Sequence, residues 1–147
     1  MSQYLTFEMV NKKNPEIKVD LGYWCTSIAR GICQNFDGIF HYTENDVKLD
    51  INELMSSIKI LHDGIEEYKT ILHKEQDKKR ENLELLLKAQ TKVVVDTIKE
   101  SIRCNDEVIG DWMEEIDTWS MVERKLEFIL NVWEENKEEW DLVYQNS

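Results

Sequence analysis

Three histidines are the side chains best suited to acid–base or metal chemistry in this sequence, and two of them stand near carboxylates at helical spacing. His62 precedes Glu66 by four residues, and His73 precedes Asp77 by four. That spacing puts both groups of a pair on one face of a helix, where they could ligate a metal ion. A carboxylate-bridged metal site in a helical bundle needs repeated Glu-x-x-His pairs, which the sequence lacks. We therefore predict no metal site.

The cysteines offer no stronger chemistry. Cys25, Cys33 and Cys104 form no C-x-x-C pair, so neither zinc binding nor dithiol redox chemistry is indicated. A nucleophilic Cys25 would need a base, and His41 is the nearest histidine in the sequence. One cysteine and one histidine are a weak signal for catalysis. The sequence also lacks Gly-rich phosphate loops and the G-x-S-x-G and H-E-x-x-H motifs. We predict no enzyme, no catalytic residues and no cofactor.

Two groups of residues are candidates for binding a ligand or an anion. Tyr23 and Trp24 follow a predicted strand and fall outside any helical repeat, so they favour an exposed contact, and His41 follows them in the chain. The second group is a run of basic residues that could bind phosphate or the acidic face of a second copy of the chain. The alternative is that these residues only make a helix surface soluble. This group contains Lys74, Lys78, Lys79 and Arg80.

The negative charge is concentrated in the last third of the chain. Residues 106–147 carry 13 acidic and 3 basic side chains, whereas residues 1–105 carry 17 acidic and 15 basic ones, and the net charge is −12. This placement argues against direct binding of nucleic acid. It favours a basic protein or a nucleic-acid-binding protein as partner. The alternative is that the acidic helix face is simply solvated, as such faces often are. The predicted partner-binding residues are Glu134, Glu135, Glu138, Glu139 and Asp141.

A heptad repeat predicts the element that carries these acidic residues. Residues 111–144 are predicted to form one continuous helix whose apolar seam must be buried against another helix. The seam recurs every seven residues, with additional apolar residues three positions later. It consists of Trp112, Trp119, Leu126, Trp133 and Trp140, with Val122, Ile129 and Val143.

A second heptad seam begins at residue 51, where Asp50 and Glu53 resemble a capping box. The polar run 74–82 leaves two alternatives: one helix over residues 50–101, or a turn at 74–82 and three helices. Asn105 and Gly110 are predicted to end one helix before the tryptophan-rich helix returns antiparallel. Because the returning helix is the shorter one, it would leave the seam at residues 51–65 uncovered, so either the β-hairpin module or a second copy of the chain must cover that seam. This length mismatch is the main reason to predict a homo-oligomer.

The first third of the chain predicts a small β-rich module. Residues 4–10 and 17–21 alternate apolar and polar side chains around a turn, which indicates a β-hairpin. A short helix is predicted over residues 28–36, and residues 39–42 could add a third strand. The fold class is therefore α+β, mainly α. The predicted domains are the module at residues 1–48 and a long antiparallel, coiled-coil-like helical region at residues 49–147.

These observations favour a small acidic protein without catalytic activity. We expect a cytoplasmic homo-oligomer, a dimer or larger, that binds or blocks a macromolecular partner as an inhibitor or nucleic-acid mimic. A ligand-binding or sequestering oligomer with pockets at subunit junctions and a purely structural coiled-coil adaptor are the alternatives. No apolar run reaches the roughly 18 residues of a membrane span, and the first residues lack the features of a secretory signal. We therefore expect no membrane partner.

Overall fold

The computed structural model describes residues 2–147, and its elements confirm an α+β fold dominated by helix. Two strands and a short helix come first, a third strand follows, and two long helices precede the last strand. The elements are β1 (Leu5–Asn11), β2 (Lys18–Trp24), α1 (Thr26–Asn35), β3 (Thr43–Leu49), α2 (Ile51–Lys88), α3 (Lys92–Asn136) and β4 (Trp140–Asn146).

The chain forms two compact units, and the boundary between them crosses both long helices. The first unit comprises the residues up to Asp63 together with Met121–Ser147, and it contains all four strands. The second unit, Gly64–Ser120, contains the end of α2 and the beginning of α3. The predicted domain boundary after residue 48 stays a prediction.

The predicted β-hairpin is confirmed as the antiparallel pair of β1 and β2. The sheet has the order β2-β1-β4-β3, so the hairpin forms one side and β3 the opposite edge. The third strand was placed wrongly at residues 39–42, because β3 begins at Thr43. Asp37, Gly38 and Phe40 have positive φ angles of 50°, 72° and 49°, which an extended strand cannot adopt. This segment is therefore a turn that leads into the strand.

The prediction of one helix over residues 111–144 is wrong at its end. Helix α3 stops at Asn136, and the following residues form β4, which pairs with both β1 and β3. Along β4, Leu142, Tyr144 and Asn146 are buried while their neighbours are only partly covered. This alternation has the period of a strand. Trp140 therefore matched the heptad by coincidence.

From Trp119 to Trp133 the heptad in α3 forms an interior seam, whereas Trp112 of the predicted seam is only half-buried. The buried seam residues are Trp119, Val122, Leu126, Ile129 and Trp133. In the first unit the helix lies close to the sheet, since a Cβ atom added to Gly22 of β2 would stand 3.2 Å from the Cδ1 atom of Ile129. The absence of a side chain at Gly22 permits this close approach.

The seam that was expected to stay bare is covered within one chain. Leu54 and Leu61 of α2 are fully buried, and Ile65 is 2% exposed. Helix α3, at 45 residues, is longer than α2, at 38 residues, so the predicted length mismatch does not exist. The seam at residues 51–65 therefore gives no reason to expect a second copy of the chain, and homo-oligomerisation stays a prediction.

In the second unit, α2 and α3 form a helical hairpin. The turn that joins them lies neither after residue 101 nor at residues 74–82, the two positions that the sequence suggested. The polar run 74–82 is helical, and the chain turns at residues 89–91 instead. Thr91 marks the start of α3, where its hydroxyl accepts a hydrogen bond from the amide of Val94 at 3.4 Å and its carbonyl accepts one from Val95 at 3.0 Å. The cap at Thr91 is the local signal that the hydrophobic pattern did not reveal.

Asn105 and Gly110 were wrongly predicted to interrupt the helix, since both lie inside α3. The Asn105 side chain is nearly buried. It donates a hydrogen bond to Glu75 at 2.9 Å and accepts one from Asn82 at 2.8 Å. Because its polar atoms bond to the facing helix, Asn105 does not need to bond to its own backbone as a cap would.

Gly110 provides a test of this continuous helix. A Cβ atom added there meets nothing within 4 Å. We expect Gly110→Ala to raise the free energy of unfolding by about 0.5–1 kcal/mol, because alanine loses less backbone entropy than glycine in a helix. Urea denaturation measures this change.

Gly38→Ala is the matched control. The site is equally open, but its φ of 72° is unfavourable for alanine, so we expect a loss of about 1 kcal/mol. If Gly110→Ala also destabilised the protein, α3 would not be continuous at residue 110.

Candidate functional site

The predicted acidic residues lie where α3 gives way to β4, and not along one helix face. We call Glu134, Glu135, Glu138, Glu139 and Asp141 the acidic surface. The first two lie near the end of α3, the next two in the turn, and Asp141 in β4. The four glutamates are exposed, and the carboxylate of Asp141 lies 3.3 Å from the ammonium group of Lys48.

The glutamates of the acidic surface stand in an unfavourable electrostatic position. Backbone carbonyls give the C-terminal end of a helix a partial negative charge, which favours cations there. The last turn of α3 contains no basic residue, and none of the four glutamates forms an ion pair with another residue in the described range 2–147. An acidic group in this position costs about 0.3–1 kcal/mol of stability.

The predicted basic cluster lies on α2 in the second unit and is largely neutralised there. Lys78 pairs with Glu75 at 3.4 Å, Lys79 with Asp106 at 2.6 Å, and Arg80 with Asp77 at 2.7 Å. Lys74 is exposed on the same helix. A hydrogen bond from Asn105 and the charge of Lys78 lower the pKa of Glu75. These partners reduce the attraction of the cluster for an external anion.

The structure does not bring Tyr23 and Trp24 together with His41. Both lie on the edge strand β2, and Tyr23 is 60% exposed with its ring stacked on Tyr4 at 5.3 Å. The half-buried Trp24 meets the ring of Phe7 edge-on at 5.9 Å. His41 instead lies just before β3, which forms the opposite edge of the sheet from β2. The predicted ligand-contact residues therefore form at least two separate sites.

His41 lines a cleft of about 460 Å³ in the first unit, which we call the His41 cleft. Its walls are the turn at residues 38–41, strand β3, the first two turns of α2, and Tyr144 of β4. Its volume is within the range of small-molecule pockets. The polar or ionisable groups on its walls include His41, Asp50, Glu53, Ser56, Ser57 and Tyr144.

A strained residue and a buried amide shape this cleft. Phe40 has a φ of 49°, which is unusual for a bulky side chain. Its buried ring meets those of Phe7 and Tyr144 edge-on at 5.1 and 5.3 Å. The amide of the fully buried Asn146 donates hydrogen bonds to the carbonyls of Phe40 at 2.7 Å and Ala29 at 2.8 Å. These contacts fix the backbone from which the next residue, His41, projects.

Two carboxyl groups at the start of α2 set the charge of the cleft. The amide of Glu53 donates a hydrogen bond of 2.7 Å to Asp50 Oδ1. This bond, together with a hydrogen bond from the Glu53 side chain, lowers the pKa of Asp50. The same side-chain bond, followed by burial and the charge of Asp50, raises the pKa of Glu53. Burial and the charge of Glu53 raise the pKa of Tyr144. Asp50 is therefore the carboxyl group that keeps its negative charge most readily.

The sequence contained a signal for part of this cleft. The capping box at Asp50 and Glu53 predicts the start of a helix, but it does not predict a cleft. Tyr144 was assigned to the wrong kind of element, and its position opposite Val47 depends on the pairing of β3 with β4. Ser56 and Ser57 carry no local signal, since serines are common on exposed helix faces.

The histidine–carboxylate pairs considered for metal binding do not form in the structure. His62 Nδ1 lies 3.0 Å from Glu123 Oε2, whereas Glu66 pairs with Lys69. Within residues 2–147, no group of three or more His, Cys, Asp or Glu side chains is arranged to hold a metal ion. All three cysteines are free thiols.

Comparisons with protein-family models, with curated proteins and with solved structures find no match to the chain. The geometry of the acidic surface and of the His41 cleft is therefore the basis for proposing a function. For the helices within residues 2–147, a search for a stretch both long and apolar enough to cross a bilayer finds none.

Asn146→Ala tests whether the buried amide holds the wall of the cleft. The change removes the hydrogen bonds that Asn146 donates to Phe40 and Ala29 and the one that it accepts from the Gln3 side chain at 2.6 Å. We expect the free energy of unfolding to fall by about 2–3 kcal/mol, because buried carbonyls lose their donors. Urea denaturation measures the loss, and amide NMR shifts at residues 40 and 41 report the local change.

Gln145→Ala is the neighbouring control. Its side chain makes one exposed hydrogen bond, to the carbonyl of Glu44 at 2.6 Å, so we expect a loss below about 1 kcal/mol. Equal losses in the two variants would contradict a special role for Asn146.

Proposed function

We propose that this chain is a non-enzymatic binding protein that docks its acidic surface onto a basic surface of a macromolecular partner, as an inhibitor or nucleic-acid mimic does. The observation that carries the proposal is the set of four exposed glutamates at the C-terminal end of α3, none of which is paired within residues 2–147. Glu134, Glu135, Glu138 and Glu139 outnumber the single cation of this stretch, Lys137, and leave this end of the helix with a net negative charge.

The position of these charges supports a role in binding because it works against folding. The end of a helix is stabilised by lysine, arginine or histidine and destabilised by glutamate. Stability alone would favour replacing Glu134 and Glu135 by neutral or basic residues. Functional sites are places where proteins break local rules of this kind, and we therefore interpret these charges as part of a binding surface.

The sign of the charge defines the partner. A net charge of −12 accelerates encounter with a basic surface and repels nucleic acid. A basic protein, including one whose groove binds nucleic acid, therefore fits the proposal better than a nucleic acid itself. Charge-dominated recognition weakens as salt screens it over a Debye length of about 8 Å at physiological ionic strength.

Self-association and location are subordinate parts of the proposal. A dimer or larger assembly would present several acidic surfaces on one particle and raise avidity. The buried seam of α2 gives no separate reason for such an assembly. Three free cysteines support a reducing, cytoplasmic setting. A purely structural adaptor, the alternative role, would show no charge-dependent binding.

Neutralising the four glutamates tests the proposal, with a synthetic peptide of alternating lysine and arginine as the basic probe. We expect the quadruple variant Glu134→Gln, Glu135→Gln, Glu138→Gln and Glu139→Gln to bind at least tenfold more weakly at low salt, a loss of about 1.4 kcal/mol. Its dependence on salt should also become shallower. Fluorescence anisotropy of the labelled peptide measures both quantities.

A second quadruple variant with the same change of net charge is the control. It replaces four exposed glutamates elsewhere by glutamine, and we expect less than a threefold loss of binding. The control positions are Glu67, Glu81, Glu84 and Glu114. Equal losses in the two variants would show that overall charge, and not the acidic surface, attracts the probe.

Stability provides an independent prediction for the same surface. Glu134→Gln with Glu135→Gln should raise the free energy of unfolding by about 0.3–1 kcal/mol at low salt, because two negative charges leave the end of a helix. The gain should shrink in 1 M NaCl. A loss of stability measured by urea denaturation would contradict the electrostatic account of this helix end.

A further inference from the structure

The His41 cleft has a charge pattern that selects one kind of ligand. Its ionisable wall groups are Asp50, Glu53, His41 and Tyr144, and neither lysine nor arginine is among its wall residues within the described chain. Two carboxyl groups in one cleft favour a ligand that brings a positive charge and donates hydrogen bonds. The hydroxyls of Ser56 and Ser57 offer further acceptors on the same helix.

The start of α2 does not favour an anion in this cleft, although helix N-termini often do. The amide of Glu53 already donates to Asp50 Oδ1 at 2.7 Å. An anionic ligand would have to displace this bond and approach two carboxyl groups. The partial positive charge at the N-terminal end of α2 therefore stabilises the carboxylate of Asp50 and not an anionic ligand.

The rest of the wall suits an apolar body of modest size. Val47 and Leu49 of β3 and Ile39 of the preceding turn supply aliphatic surface. Phe40 and Tyr144 add aromatic rings whose centroids lie 5.3 Å apart. Aromatic rings attract cations as well as apolar groups. The volume of about 460 Å³ accommodates a small molecule.

We propose that the His41 cleft binds a small organic amine, with its ammonium group at Asp50 and Glu53 and its apolar body against Val47 and Leu49. The cleft is built within the first unit of one chain, so binding requires no subunit junction. This site is distinct from the acidic surface, and its test is independent of the macromolecular partner.

The protonation of the two carboxyl groups agrees with this assignment. The hydrogen bond from the backbone amide of Glu53 holds the pKa of Asp50 below its usual value, so Asp50 stays ionised through the neutral range. An alkylammonium group is also charged there, because its pKa resembles that of lysine, about 10.4. The two charges needed for the contact therefore coexist at pH 7.

Three probes of one shape separate the contribution of charge from that of the apolar body. Benzylamine, benzyl alcohol and benzoate are titrated into the full-length ¹⁵N-labelled protein while amide NMR shifts are followed. We expect benzylamine to bind with a Kd on the order of 1 mM and to shift the amides of His41, Val47, Glu53 and Ser57. Benzyl alcohol should bind at least tenfold more weakly, and benzoate should give no saturable shift at these residues.

Asp50→Asn removes the charge while keeping a residue that caps helices well. We expect it to weaken benzylamine at least tenfold while the protein stays folded. Asp46→Asn is the control, since Asp46 is an exposed residue of β3 outside the cleft wall, and we expect less than a twofold change. Glu53→Gln is a second charge-removing variant should Asp50→Asn perturb the helix start, and it should also weaken the amine.

Each alternative outcome overturns the proposal. Equal binding of amine and alcohol would mean that the cleft recognises only apolar surface. Preferential binding of benzoate would assign the site to anions at the start of α2. Absence of saturable shifts with benzylamine would exclude an amine site in the cleft. None of these outcomes bears on the acidic surface, because the glutamates at the end of α3 remain unchanged.

Discussion

The pairing of β4 with two strands from the beginning of the chain is the constraint on which the first unit depends. Leu142 stands opposite Met9 and Leu49, and Tyr144 stands opposite Phe7 and Val47. A shift of one residue would turn every buried side chain of β4 to the other face of the sheet. The register is therefore fixed by burial, and the last residues of the chain complete a sheet that its first residues begin.

Both candidate sites follow from this pairing, because they lie at the two ends of β4. The turn that leads into Trp140 carries Glu138 and Glu139 of the acidic surface, and its position is fixed where the carbonyl of Glu139 accepts a hydrogen bond from the amide of Lys12 at 2.9 Å. Near the other end, Tyr144 forms part of the His41 cleft and Asn146 holds the backbone of Phe40. Strand β4 therefore positions residues of both the acidic surface and the His41 cleft.

The sequence predicted those features that depend on local chemistry. The hairpin, the cap at Asp50 and the buried stretch from Trp119 to Trp133 all follow from short-range spacing. Two of the failures occurred where a distant residue decides the outcome. Asn105 continues a helix because Glu75 and Asn82 bond to its side chain, and Trp140 begins a strand because β1 and β3 are there to pair with it. The acidic residues were identified from composition, whereas the cleft could not be, since its walls come from the turn before β3, β3 itself, α2 and β4.

Both candidate sites would attract positively charged groups, but they would do so through different interactions. The acidic surface is exposed, so salt screens its attraction and its specificity must come from the number and placement of charges. In the cleft, Asp50 is also exposed, but it lies beside aliphatic and aromatic walls, so apolar contact with the body of a ligand adds to the attraction of a single charge. Substitutions in β4 would alter both sites because the strand positions both. The separate contribution of each site can therefore be resolved only through side chains outside the buried face of that strand, such as Glu134 for the surface and Asp50 for the cleft.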